Sequence, residues 1–325
     1  MARLGLVLGA GGVVGQAYHA AVLAMLQHDH GLDARDADVI VGTSAGSITG
    51  ALLRLGVSPA DLAAWAVKVP LSDDVGVGQR MALLPHPELA PLRPLRLLLR
   101  PMRLPGPRLV GRAIIRPWQF RPLAAALTLL APGRDDILGR IAALRELDQV
   151  PWPERPLMIC AVRRQDGRRV VFGSPGGPPA PLHLAVAASC AVPGYFTPVR
   201  IGRHTYVDGG AHSPTNAAIL RRHKLDIAIV VAPMGGPPGP WPSLYAAQRR
   251  HAGRLLSREV AALRAAGTRT IVFQPSADEL RAMGNDFMTA QGLTAVVRES
   301  FLSAGAVAAK PDARRLLREA ASVTH

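Results

Sequence analysis

The chain has 325 residues, 49% of them hydrophobic, with 38 Lys plus Arg against 23 Asp plus Glu and only two cysteines. The hydrophobic share excludes a disordered or low-complexity protein, and Cys160 and Cys190 are too few and too far apart for a disulfide framework or metal site, so both read as small buried hydrophobes. A formal net charge of +15 calls for an anionic partner, either a membrane surface or a nucleic acid.

The opening MARLGLVLGAGGVVGQAYHAAVLAML imitates a secretory leader. Its glycines, however, cluster where a leader needs an apolar helical core, and its basic region is a single Arg. It reads instead as a buried strand over 3–8, a glycine loop over 9–15 and a helix to Gln27 that places Tyr18, Val22, Met25 and Leu26 on one face. ADVIVG (37–42) is a second strand, Thr43 to Ala45 a sharp turn, and GSITGALLRLG a helix ending at Gly56. Two strand, loop, helix units in succession favour a parallel sheet covered by helices. Strands at 156–162, 168–173, 204–210, 225–233 and 268–275, with helices at 181–191, 214–224, 243–266 and 289–308, continue the α/β pattern. No apolar run reaches spanning length, so no transmembrane helix is expected, and the expected setting is cytoplasmic.

Residues 70–135 interrupt this rhythm and read as an insertion or lid on a single domain spanning 1–325. Pro94, Pro101 and Pro117 would break any long helix there. Nine arginines lie between Arg80 and Arg121 against one acid, Glu88, so more than half of the net charge sits in this stretch. Arg108, Arg112 and Arg116 recur every four residues, which gives a short helix a basic face opposite Val110 and Ile114. Arginines on lipid phosphates, with Leu97, Leu98, Leu99, Ile114, Ile115 and Trp118 dipping toward acyl chains, would dock the protein peripherally on an anionic membrane. A solvated basic loop is the plainer alternative. Few aromatics interleave with these arginines, which argues against nucleic acid.

The stretch VGTSAGSITG raises the question of chemistry. In GxSxG between a strand and a helix the turn is so tight that the serine oxygen stands clear of the backbone, and Gly42 and Gly46 remove the Cβ atoms that would collide. Ser44 is therefore a candidate nucleophile, the alternative being a plain strand-to-helix turn. Attack on an ester carbonyl needs donors for the developing oxyanion. In GAGGVVG, Gly11 and Gly12 can present bare N–H groups at a helix start, whereas a dinucleotide-binding reading fails at Val14, where the third glycine of GxGxxG should stand. A base is also needed. Asp208 in YVDGGAHSPTN, followed by Gly209 and Gly210, is one candidate; a histidine is the other, with His212 nearest that turn and His183, His204 and His223 farther off. A Ser-Asp-His triad thus stays open beside a Ser-Asp pair, as does a basic membrane-binding protein without chemistry.

GGVVG, GTSAG and AASCAVPGYFTPVRIGRHTYVDGG, in that order within residues 5–216, together resemble the patatin-like phospholipases. The resemblance implies a three-layer α/β/α fold with a mostly parallel central sheet, no metal or organic cofactor, and a lipid or phospholipid ester as substrate. It also implies Ser44 as nucleophile, Asp208 as its base, and the backbone of Gly11, Gly12 and Val13 as oxyanion hole. One departure stands out: the family carries a basic residue where this chain has Val14, which leaves the anchoring of the glycine loop in question. An exposed aspartate, with a pKa of about 3.9, is a weak base toward a hydroxyl, so the pair requires a sheltered pocket. Nothing in the sequence sets the oligomeric state.

Overall fold

Strands made only of apolar residues must be covered on both faces, and the sheet at the centre of this protein meets that demand. The computed structural model describes residues 2–71, 80, 87, 89–91, 95, 99–148, 150–237 and 244–322. In chain order it begins with β1 (Leu4–Leu8), α1 (Gly12–His30), β2 (Val39–Thr43), α2 (Ala45–Arg54) and α3 (Pro59–Val67). There follow α4 (Pro107–Ile115), α5 (Pro122–Leu129), α6 (Ile137–Arg140) and α7 (Ala142–Glu146). The second half supplies β3 (Leu157–Arg163), β4 (Arg168–Phe172), α8 (Leu182–Cys190), β5 (Val199–Ile201), β6 (His204–Asp208) and β7 (Ile227–Val231). It ends with α9 (Leu244–Ala265), β8 (Arg269–Phe273), α10 (Ala277–Met283), α11 (Leu293–Ala308) and α12 (Pro311–Ala321).

The eight strands of the described residues form one sheet in the order β5-β6-β3-β2-β1-β7-β8, with β4 paired to β3. Pairings among β3, β2, β1, β7 and β8 are parallel, whereas β4 and β6 run antiparallel to β3, and β5 antiparallel to β6. Residues of β1 and β2 alternate between the two faces. Leu6, Leu8 and Ile40 enter a core shared with α1, α2, α8 and α11, while Val7, Val39 and Val41 enter a second core closed by α9 and a 3-10 turn at Ala217–Arg222. Helix, sheet and helix layers result, the mixed α/β architecture that the sequence implied.

The register of β3 positions the site. Ile159 and Cys160 pair with both β2 and β4, and Ala161 to Arg163 with both β4 and β6. A strand has two edges, so β2 and β6 must share the edge opposite β4. They approach it from opposite directions and finish beside each other, with Thr43 opposite Cys160 and Asp208 opposite Ala161.

Several elements depart from the sequence expectation. The segment 214–224 is a 3-10 turn rather than a helix, while β5, α3, α10 and α12 were not foreseen. Among the described residues no strand of the sheet lies between Thr43 and Leu157. Within 70–135, the expectations at Arg93, Pro94, Arg96, Leu97 and Leu98 fall outside the described residues. The basic face of α4 is also corrected. Arg112 turns inward to donate to the carbonyls of Asp166 and Gln119, both at 3.0 Å, and the helix buries only Leu109. Val110 and Ile114 stand in solvent. Among the described residues no helix is long and apolar enough to cross a membrane.

Candidate active site

Ser44 sits on the turn between β2 and α2 with φ 54° and ψ −123°, in the left-handed half of backbone space that non-glycine residues enter only under strain. Its neighbours explain how the turn is held. A Cβ on Gly42 would lie 2.6 Å from the Gly46 carbonyl oxygen, and one on Gly46 would lie 2.0 Å from that of Leu8. Both positions of the elbow therefore exclude any side chain. The Ser44 N–H donates to Ser189 Oγ at 2.9 Å, and that hydroxyl donates on to the Cys160 carbonyl at 2.6 Å. Ser47 Oγ donates to the Ser44 carbonyl at 2.7 Å. Strain at one residue is thus offset by three hydrogen bonds.

Asp208 ends β6, only 4% exposed, and Ser44 is 7% exposed. The Asp208 carboxylate accepts from the Gly210 N–H at 2.6 Å, and the Ser44 side chain lies within hydrogen-bonding reach of it. Both contacts favour the ionised form. Burial opposes them and wins, so the Asp208 pKa is pushed up from 3.8 to about 7. Gly209 permits the turn that follows, since a Cβ there would meet the Cys160 carbonyl oxygen at 2.3 Å.

The glycine loop supplies the donors. The N–H groups of Gly9, Ala10, Val14 and Gly15 are taken by Val231, Pro214, Phe287 and Gly11 carbonyls. Among the described residues no acceptor meets the N–H groups of Gly11, Gly12 or Val13, which open α1 where its dipole is positive. The loop lies against both halves of the pair. A Cβ on Gly210 would come 3.5 Å from the Ala10 methyl, and one on Gly15 would come 3.8 Å from that of Ala45. Gly12 has φ +63°, and a Cβ there would meet the Phe287 carbonyl oxygen at 2.2 Å. That same carbonyl accepts from the Val14 N–H at 3.3 Å. Phe287 itself is stacked on Arg249, whose guanidinium lies 5.2 Å from the ring centroid. The loop is anchored from the segment before α11, so Val14 needs no charge of its own.

Sequence reasoning missed three of these residues. Ser189 and Phe287 carry no local signal, because their roles depend on distant partners. Asn216 did carry one: a short amide after SPT is suited to left-handed backbone, and it has φ 52°. Its Nδ2 donates to Thr43 Oγ1 at 3.2 Å and to the carbonyls of Gly209 and Ser213 at 3.4 and 2.6 Å, and its Oδ1 accepts from Arg169 at 3.2 Å. Thr215 Oγ1 and the Ala217 N–H in turn donate to buried Glu259, at 2.7 and 2.8 Å.

Among the described residues no histidine is hydrogen-bonded so as to complete a triad, and none hydrogen-bonds to Ser44 or Asp208. His212 is pushed down to about 2 by burial and by the nearby Arg169, Arg121 and Arg112, and His183 pairs with Asp148 at 3.4 Å. Cys160 and Cys190 are free and buried, and burial raises both thiols, Cys160 to about 12. Among the described residues no cluster of three or more His, Cys, Asp or Glu could hold a metal.

No curated protein matches the chain. Among solved structures it is similar to VipD from Legionella pneumophila, with 14% sequence identity over 93% of this chain and 67% of that one and a TM-score of 0.38. The family profile described as patatin-like phospholipase matches residues 6–221, a span that runs from β1 through the glycine loop and the Ser44 elbow to Asp208 and Asn216. The chain belongs to the patatin-like phospholipase family, whose members are lipid acyl hydrolases.

Proposed function

We propose that this protein cleaves carboxylic ester bonds of lipids through a serine acyl-enzyme, with Ser44 as nucleophile and Asp208 as the only base. The observation that carries the reading is the buried Asp208 carboxyl within reach of the Ser44 hydroxyl, with a pKa near 7 rather than 3.8. Ser44 Oγ attacks the ester carbonyl while its proton passes to Asp208. The carbonyl oxygen gains negative charge and is held by the N–H groups of Gly11, Gly12 and Val13. Collapse of this intermediate expels the alcohol, which takes the proton back from Asp208. Water then attacks the acyl-enzyme, gives its proton to the same carboxylate, and Ser44 leaves as a hydroxyl.

Among the described residues the N–H groups of Gly11, Gly12 and Val13 have no acceptor, which supports the oxyanion role, since the great majority of buried backbone donors in folded proteins are paired. A fluorophosphonate probe followed by peptide mass spectrometry tests the nucleophile directly. Label on Ser44, together with loss of ester hydrolysis in both Ser44→Ala and Asp208→Asn, is the expected result. Wild-type turnover in either variant would overturn the reading.

A further inference from the structure

Of the twelve large hydrophobic side chains that stand exposed among the described residues, nine fall between Leu95 and Leu123. Single exposed hydrophobics are ordinary, but a concentration of them marks a contact surface. Leu104, Ile114 and Trp118 are 92, 73 and 76% exposed. Helix α4 is amphipathic in the wrong sense for a water-facing helix, because it turns Val110, Ile114 and Ile115 outward and buries only Leu109.

Charge says what covers this face. Between Pro101 and Arg121 there are five arginines and no acid. Arg112 and Arg121 are committed to protein carbonyls, whereas Arg103, Arg108 and Arg116 are exposed. An open cleft of about 450 Å³ lies beneath, lined by Arg103, Arg108 and Arg164 together with Leu104, Leu109 and Leu129. The surface is fixed to the active-site end of the sheet. Arg121 donates to the carbonyl of His212, four positions beyond Asp208, at 3.0 Å.

We propose that residues 99–123 are a docking surface for an anionic lipid bilayer, with the apolar side chains in the interface and Arg103, Arg108 and Arg116 on lipid phosphates. The inference rests on the lipid-hydrolase reading for its purpose and names the partner of that site. A second copy of the chain fits the face poorly, since a symmetric contact would set arginine against arginine with no acid between them. A nucleic acid would meet the charge but leave the apolar side chains in water. A bilayer with phosphate head groups satisfies both at once.

The test is flotation of the full-length Ser44→Ala protein with phosphatidylcholine vesicles, with and without phosphatidylglycerol, so that binding is read without turnover. Binding should be stronger to the anionic vesicles by roughly a hundredfold at low salt and fall as salt is added. Ile114→Ser with Trp118→Ser should remove it, and Arg103→Gln with Arg108→Gln and Arg116→Gln should level the two compositions, with circular dichroism showing each variant folded. Equal binding to both vesicles, no binding, or indifference to both sets of substitutions overturns the proposal. Docking by a protein whose wild type hydrolyses no ester would overturn only the catalytic reading, and hydrolysis of a soluble ester without docking only this one.

Discussion

Thr43 and Asp208 stand opposite consecutive residues of one strand, Cys160 and Ala161, on the same edge of β3. Because β2 runs parallel to β3 and β6 antiparallel, the C-terminal tips of both strands converge there, and the residue after Thr43 is Ser44. Two side chains 164 positions apart are brought together by backbone pairing rather than by a loop. Register errors in a sheet move whole strands and expose their apolar faces, so the meeting of hydroxyl and carboxyl is protected by the stability of the core.

Activity should depend on pH through Asp208. The base must be ionised, and its pKa is raised to about 7 chiefly by burial. Below that value kcat/KM on a soluble short-chain ester should fall about tenfold per pH unit, and above it the profile should level. An ordinary carboxylate of pKa 3.8 would leave the rate flat from pH 5 upward. A profile without a limb near neutrality, measured between pH 5 and 9, would count against Asp208 as the base.

The same shift carries a stability consequence of defined sign. A carboxyl whose folded-state pKa lies above its unfolded value stabilises the fold most fully below the unfolded value, and that contribution is lost as pH rises through the folded one. For Asp208 the window runs from 3.8 to about 7. Asp208→Asn, which cannot ionise, should therefore match the wild type near the lower bound and exceed it above neutrality, by up to about 4 kcal/mol. Thermal melts of both proteins across this range check it, and a constant difference at all pH values would refute the burial argument.

His212→Ala should leave ester hydrolysis within about threefold of wild type, because loss of a true general base costs roughly 10²–10⁴. The imidazole is kept neutral by burial and by three arginines, and its buried Nδ1 has no hydrogen-bond partner among the described residues. With no hydrogen bond to Ser44 or Asp208 among the described residues and a pKa lowered by burial, it is poorly placed to take the Ser44 proton. A loss of two orders of magnitude in kcat would restore a histidine to the mechanism.

The contrast between Ser44 and Asn216 explains what could be read from the chain. Ser44 and its glycines were legible because strand, turn and helix are contiguous, and steric demands within five residues dictate the glycines. Asp208 was legible as the acid before a glycine pair, and the tendency of β1, β2 and β7 to form a buried parallel sheet followed from unbroken apolar runs. The short edge strand β5 was not, since three residues carry too little periodicity and its existence depends on pairing with β6. Segment 214–224 has helical spacing, yet hydrogen bonds from Asn216, Thr215 and Ala217 to partners elsewhere in the chain set its backbone instead. The inward turn of Arg112 was equally hidden, because local pattern reports that a helix has two faces but not which side chain finds a carbonyl elsewhere in the chain.

Asn216 should act as a positioning residue for both halves of the pair. Its amide ties the side chain of Thr43, immediately before Ser44, to the carbonyl of Gly209, immediately after Asp208. Replacement must separate the amide from the backbone, which sits at φ 52°. Asn216→Gly keeps that conformation without strain and deletes only the side chain, whereas Asn216→Ala loses the amide and adds left-handed strain of about 1 kcal/mol or more. If the amide positions the pair, both variants should lower kcat by about tenfold to a hundredfold with KM nearly unchanged, and Asn216→Ala should melt at the lower temperature. The acid limb of the pH profile should move as well in Asn216→Gly, since water reaching the cavity left beside Gly209 would relieve the desolvation of Asp208 and lower its pKa. Full activity and an unmoved profile in folded Asn216→Gly would reduce the residue to a turn former.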